Sequence, residues 1–226
     1  MRAQAKPPRR LWPWIIVGTA IVVALGATAI ALSQHPGAAP TASPSLGPTT
    51  TATSPTIGAE PDGCLGGADR SADMLTAAVS AAGDTESGAV DVAASFVRWI
   101  QRYPYPSAQE AKQVGETILA KPSFTSDLPA YLAAQPDLSG GIVPTGTTYF
   151  MNTVPGVWYV ESATSSEVKV TIGSGFVIEG SLSSTLRSSI TITLVLENNR
   201  WKVAGAEGTR TPAELYKVGH PFTGGC

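Results

Sequence analysis

Cysteine is nearly missing from this chain, with Cys64 and Cys226 the only two in 226 residues. So few exclude a disulfide-dense miniature scaffold and a multi-cysteine metal cluster. Histidine is equally scarce, at two residues. A nucleophilic relay needs a base beside its nucleophile, and zinc sites usually take two or more His or Cys ligands, so both chemistries lack their parts. His35 reads as solvated, and His220, between Gly219 and Pro221, as structural or exposed. Basic residues are thin beyond Cys64, where 11 Lys and Arg face 15 Asp and Glu with no basic run, which disfavours a nucleic-acid partner. The "GSG" of Gly173–Gly175 is too short for a phosphate loop and reads as a turn between strands. Asp91, Glu161 and Glu179 would need the fold to bring them together, and scattered surface acids are the commoner case. No catalytic residue, cofactor or metal is expected.

Charge is absent altogether from residues 11–32, "LWPWIIVGTAIVVALGATAIAL". A helix over these 22 residues spans about 33 Å at about 1.5 Å per residue, enough for a hydrocarbon core of roughly 30 Å. Residues 1–10 carry Arg2, Lys6, Arg9 and Arg10 and no acid, which holds the N-terminal end in the cytoplasm. Trp12 and Trp14 sit where amphipathic rings prefer the headgroup boundary. The expectation is a single-pass cell-membrane anchor with the C-terminal bulk outside. The alternative is a cleaved signal peptide, for which Ala31 and Ser33 supply small residues, although such apolar regions usually run only about 7–15 residues.

Residues 33–61 hold six prolines and almost no large apolar side chain, too little to offset chain entropy, and read as a disordered Pro/Thr/Ser-rich linker. This composition also matches O-glycosylated stalks. Cys64 stands where the linker ends, so Cys64 and Cys226 bracket everything that looks folded, residues 62–226. In an exported domain they are expected to form one intramolecular disulfide. Unpaired thiols, or Cys226 as an intermolecular or lipidation site, are the alternatives.

Within that domain the first half has helical period. In "GAVDVAASFVRWIQRYP", Ala93, Phe96, Val97 and Ile100 share one apolar face with Arg98 and Gln101 turned away. "SAQEAKQVGETILA" opens with Ser107 and Glu110 at capping-box spacing. "SDLPAYLAA" and "ADMLTAAVSAA" add two shorter helices. The second half changes to strand runs: "TTYFMNTV", "GVWYVES", "EVKVTIG", "LRSSITITLVLE" and "RWKVAGAE". Asn198 and Asn199 mark a tight hairpin. Helices followed by an antiparallel meander predict a two-layer α+β domain.

The helix "AASFVRWI" followed by the paired strands "ITITLVLENNRWKV" resembles the nuclear-transport-factor-2-like, cystatin-like α+β fold. Within that fold the chain is most similar to the exported domain of the bitopic core component of type IV secretion and conjugation machines of Gram-positive mobile elements. The resemblance covers about residues 88–206. It implies helices packed on a curved antiparallel sheet of about four to six strands, and a non-enzymatic scaffold or assembly subunit. The expected partners are the membrane, other proteins of a membrane complex, or further copies of the chain.

"RWIQRYPYP" is the richest candidate interface, grouping Arg98, Trp99, Arg102, Tyr103 and Tyr105, residue types that anchor protein contacts. The alternative is that Trp99 and Tyr103 complete the packing of helix on sheet. A second function class is a pocket protein that uses the cone between helix and sheet for a lipid or small apolar ligand, or for isomerase or hydrolase chemistry. A cone filled by Phe96, Ile100, Trp158 and Trp201 would favour the scaffold, and converging polar and acidic groups the pocket.

Overall fold

The computed structural model describes residues 59–226. The expected tail, the spanning helix Leu11–Leu32 and the linker up to residue 58 lie outside the described residues. Among the described residues no helix is long and apolar enough to cross a membrane. Ala59, the first described residue, already meets the folded unit: its carbonyl accepts a hydrogen bond from Ser87.

Among the described residues four helices come first: α1 (Ala72–Ala81), α2 (Glu86–Ile100), α3 (Ala108–Thr117) and α4 (Leu128–Ala133). Each starts at a side-chain cap, Ser71, Thr85, Ser107 and Asp127, whose oxygen satisfies a backbone N–H that the first turn leaves without a partner. The capping box predicted at Ser107 and Glu110 is formed in both directions. Between α2 and α3 lies the two-residue strand β1 (Arg102–Tyr103).

Four long or middling strands follow: β2 (Tyr149–Ala163), β3 (Glu167–Ile178), β4 (Ser181–Glu197) and β5 (Arg200–Glu207). The chain closes with α5 (Pro212–Val218) and β6 (His220–Pro221). All ladders are antiparallel, in the order β1-β2-β3-β4-β5 with β6 on the flank of β2, and the sheet curls into a half-barrel. The fold class is therefore α+β, as the period change predicts.

Three details depart from the sequence reading. "TTYFMNTV" and "GVWYVES" belong to one strand, interrupted by a register shift between Asn152 and Val157. Pro155 sits in that gap, where its missing N–H costs no ladder bond. The "GSG" is no turn: Gly173 lies in mid-ladder, opposite Val157 and Ser189. A Cβ there would stand 2.8–2.9 Å from Val157, Leu215 and Tyr216, so the missing side chain admits α5. Helix α5 itself was not expected, although Thr211 and Glu214 form a second capping box around Pro212 at the first helical turn.

One apolar cluster, drawn from Ala72 to Phe222, fills the space between α1–α4 and one face of the sheet. Phe96, Trp99, Ile172, Ile192 and Trp201 are buried in it. Side chains alternate across a strand, so Ile172 faces this core while its neighbour Gly173 faces α5 on the other side. The edge strand β5 is covered by the segment after α3: Ala120 N–H donates to Val203 O at 2.9 Å and Phe124 N–H to Ala204 O at 2.8 Å. Among the described residues this cluster lies wholly within the compact unit Thr53–Cys226.

The disulfide Cys64–Cys226 is present, with a Cα–Cα distance of 5.4 Å across a sequence separation of 162. It does not act alone. Thr223 N–H donates to Pro61 O at 3.1 Å, and Gly224 N–H to Asp62 O at 3.2 Å. Gly63 N–H donates to buried Asp91 at 2.8 Å, tying the same segment to α2.

Candidate functional site

The five side chains of "RWIQRYPYP" do not share one surface. Arg98 and Trp99 are both 0% exposed, which removes them from any contact surface. Trp99 joins the core 5.7 Å from Phe96, as the packing alternative holds. Arg98 is a correction to the expectation that it turns away from the apolar face. The segment after Cys64 crosses it, and its Nη2 donates to Gly67 O at 2.6 Å and Asp69 O at 2.9 Å. Its Nε and Nη1 find no protein partner. Burial, with the repulsion of nearby Arg70 added, pulls its pKa down to about 10.

Arg102, Tyr103 and Tyr105 stay half-buried at the end of α2 and along β1. Arg102 pairs with Glu110 at 2.8 Å, which holds it to the start of α3. Tyr103 and Tyr105 meet edge to face at 5.2 Å. The Tyr105 hydroxyl accepts from Leu138 N–H at 3.2 Å. Near it, burial drives the Tyr149 hydroxyl pKa upward, and Tyr105 and Asp137 add to the effect.

The deep part of the cone between α2 and the sheet is filled by Phe96, Ile100 and Trp201, all under a tenth exposed. Trp201 also donates from Nε1 to Gly83 O and Thr85 O at 3.1 Å, fixing the α1–α2 turn over β5. Trp158 is half-buried and stacks on His220 with ring centroids 5.0 Å apart. His220 is exposed on β6 and touches none of the acids weighed above by hydrogen bond or ion pair.

The mouth of the cone is open. A cavity of about 230 Å³ lies among Phe96, Ile100, Phe124, Tyr131, Ile190 and Ala206. The rings form a chain, Phe96 on Phe124 at 6.5 Å and Phe124 on Tyr131 at 5.3 Å, both edge to face. Against it lies a second hollow of about 270 Å³ bounded by Ile142, Phe176, Arg187 and Ser188. Gln101, Leu138, Ser189 and Ile190 border both. The Ser189 hydroxyl is buried without a protein partner.

The opposite face of the sheet carries a polar cluster that no sequence pattern announces. Arg210 grips Glu161 with two bonds, Nε to Oε1 at 2.6 Å and Nη2 to Oε2 at 2.8 Å. The Thr171 hydroxyl donates to the same carboxylate at 2.7 Å, and hydroxyls of Thr171, Thr191 and Thr209 adjoin in turn. The Arg210 guanidinium also lies 4.6 Å from the centre of the Tyr159 ring. These bonds hold the Glu161 carboxyl below its ordinary range, Arg210 being the largest cause. The cluster latches the strand-to-α5 connection onto the sheet.

Glu161, Asp91 and Glu179 therefore occupy three settings: Glu161 under Arg210, Asp91 against Gly63, and Glu179 in the β3–β4 turn with φ 48°. No hydrogen bond joins any two of them among the described residues. Among the described residues no three His, Cys, Asp or Glu side chains gather as a metal site. No protein-family profile, curated protein or solved structure matches this chain.

Proposed function

We propose that this chain is a membrane-anchored assembly subunit that presents a disulfide-stapled α+β domain outside the cell membrane. It would serve as a scaffold in a conjugation or type IV secretion-like complex. The uncharged run Leu11–Leu32 and its one-sided basic flank support the anchor, and the resemblance of "ITITLVLENNRWKV" to the assembly-component fold supports the class.

The observation that carries the reading is the occupied cone. Phe96, Ile100 and Trp201 fill the depth where enzymes of such a fold would need a reaction chamber. With Arg98 and Trp99 buried, the partner-facing surface shifts to Arg102, Tyr103 and Tyr105 on one side. On the α5 side of the sheet, Val154 and Leu182 are half exposed around Gly175 and Pro155 and offer apolar contact area. The test is site-specific photo-cross-linking of the full chain in its native membrane, with probes at Tyr105 and at Leu182. Covalent adducts with other membrane-complex proteins or with a second copy are expected. Absence of adducts at both positions, together with loss of function in His220→Ala, would replace this reading with an enzymatic one.

A further inference from the structure

Helix α5 packs on the sheet around Gly173, and beyond it the same face leaves apolar side chains exposed. Phe150, Val177 and Leu182 stand opposite one another across β2, β3 and β4, so they share a face. Their chain neighbours Tyr149, Met151 and Phe176 belong to the core, which puts the row on the α5 side. A Cβ on Gly175 would stand 3.2 Å from Leu182 and 3.5 Å from Pro155, so those two side chains meet over the glycine. Val154 follows at the edge, and Val154 and Leu182 are 50% and 49% exposed.

Two arginines border this patch without a carboxylate partner among the described residues. Arg70 lies over the Phe150 ring at 3.9 Å and donates from Nη2 to Met151 O at 3.2 Å. Arg187 stands opposite Gly175, and its guanidinium donates to Ser183 O, Ser184 O and Leu186 O. Carbonyl dipoles leave both full charges uncompensated. The acids nearest in sequence, Asp69 and Glu179, form an ion pair with neither.

The patch also lies where the chain enters the domain. Thr153, next to Val154, donates from Oγ1 to Gly63 O at 2.9 Å, and Gly63 stands four residues after Ala59. Residues 33–58 separate Ala59 from the uncharged run 11–32. A flexible chain of that length has a root-mean-square reach of roughly 25–30 Å, and tethering over such a span gives an effective concentration of about millimolar. A surface with weak affinity for lipid is then enough.

We propose that this patch seats on the lipid surface of the membrane in which the chain is anchored, with Leu182 and Val154 at the boundary of headgroups and acyl chains and Arg70 and Arg187 on headgroup phosphates. The proposal rests on the anchored reading above and adds a lipid contact to the second of its two surfaces. A bilayer suits the patch better than a folded partner does, because five apolar side chains fall well short of the roughly 20–30 residues a side of a specific protein interface. The tether supplies the affinity that so small a patch lacks.

The test uses the full chain reconstituted into vesicles of phosphatidylcholine, alone or with about 30% phosphatidylglycerol to supply the negative surface. An environment-sensitive fluorophore is placed through Ser181→Cys, beside Leu182, or through Lys112→Cys, exposed on α3 in the helical layer, and is read against a lipid-attached nitroxide quencher. With phosphatidylglycerol present, quenching at position 181 should exceed that at 112 at least about fivefold, and Leu182→Asp with Val154→Asp should remove most of the difference. Arg70→Gln with Arg187→Gln should lower it about fivefold and leave it insensitive to phosphatidylglycerol. Leu182→Ser alone serves if the paired aspartates unfold the domain. Equal quenching at the two positions, or quenching at 181 unchanged in a folded Leu182 variant, overturns the proposal. Alkaline carbonate extraction reports the anchor separately: a chain that it strips from the vesicles has lost the anchored reading, and the label at 181 still shows whether the patch meets lipid.

Discussion

Thr153 holds Cys226 by both backbone groups. Its N–H donates to Cys226 O at 3.1 Å, and its Oγ1 accepts from Cys226 N–H at 3.0 Å. The same hydroxyl lies 2.9 Å from Gly63 O, so one buried side chain ties together the two segments that the disulfide joins. Covalent staple and hydrogen-bonded clasp are thus two parts of one closure. Cys226→Ala should cost about 2–5 kcal/mol of unfolding free energy, and reducing agent should reproduce that loss in the wild type. Thr153→Val keeps the shape but strands the buried Gly63 carbonyl and the part-buried Cys226 N–H, and should cost about 1–3 kcal/mol even with the disulfide intact. Denaturant unfolding of the two variants checks both values.

Gly173 is the contact point between the sheet and α5. Gly173→Ala places a methyl 2.8–2.9 Å from Val157, Leu215 and Tyr216, and α5 must shift to relieve it. Overpacking of this kind costs about 1–3 kcal/mol. Hydrogen exchange should speed up in α5 while α2 stays protected, and unchanged exchange in α5 would show the close approach to be illusory.

Asp91 is buried on α2, and burial raises its pKa despite the hydrogen bond from Gly63. A carboxyl whose folded pKa is raised is destabilising once ionised. Stability is highest below the unfolded value of about 3.9 and falls as pH rises through the folded one. Asp91→Asn keeps an oxygen for Gly63 N–H and removes the charge. It should therefore raise the melting temperature at pH 7 by about 2–4 °C, the shift of about 1 kcal/mol in a domain of this size. The advantage should close below about pH 3.5, where the wild-type carboxyl is neutral as well.

Glu161 shows the opposite sign. Its pKa is lowered, first by Arg210 and then by Thr171, so its contribution is present above the ordinary carboxylate range and lost as pH falls through the folded value. Glu161→Gln should lower the melting temperature at neutral pH and lose that difference in acid. Limited proteolysis should cut faster near Arg210 in the variant, since the Gly208–Thr211 connection relies on this pair.

The elements that could be read directly are those whose causes are local. Ser107 and Glu110 are three residues apart, Asn198 and Asn199 are neighbours with φ 52° and 58°, and the α2 stripe repeats at helical period. Even α5 has a local start signal, Thr211 and Glu214 at capping-box spacing around Pro212. Arg98 is different in kind. Its place on the helix matched a polar position, yet its burial depends on Gly67 and Asp69, which reach it from 31 and 29 residues away.

By itself, then, the sequence determined that a helical first half precedes a sheet-bearing second half, and that its two cysteines bracket the folded part. Each of these follows from spacing within a few residues or from position along the chain. Only the tertiary structure decided that "RWIQRYPYP" would divide between core and surface, that Gly173 would admit α5, and that Glu161, Thr171, Thr191 and Arg210 would meet. Those outcomes depend on the curl of the sheet and on which segments cross it, and hydrogen bonds as long in sequence as the 49 residues from Glu161 to Arg210 leave no periodic trace in the chain.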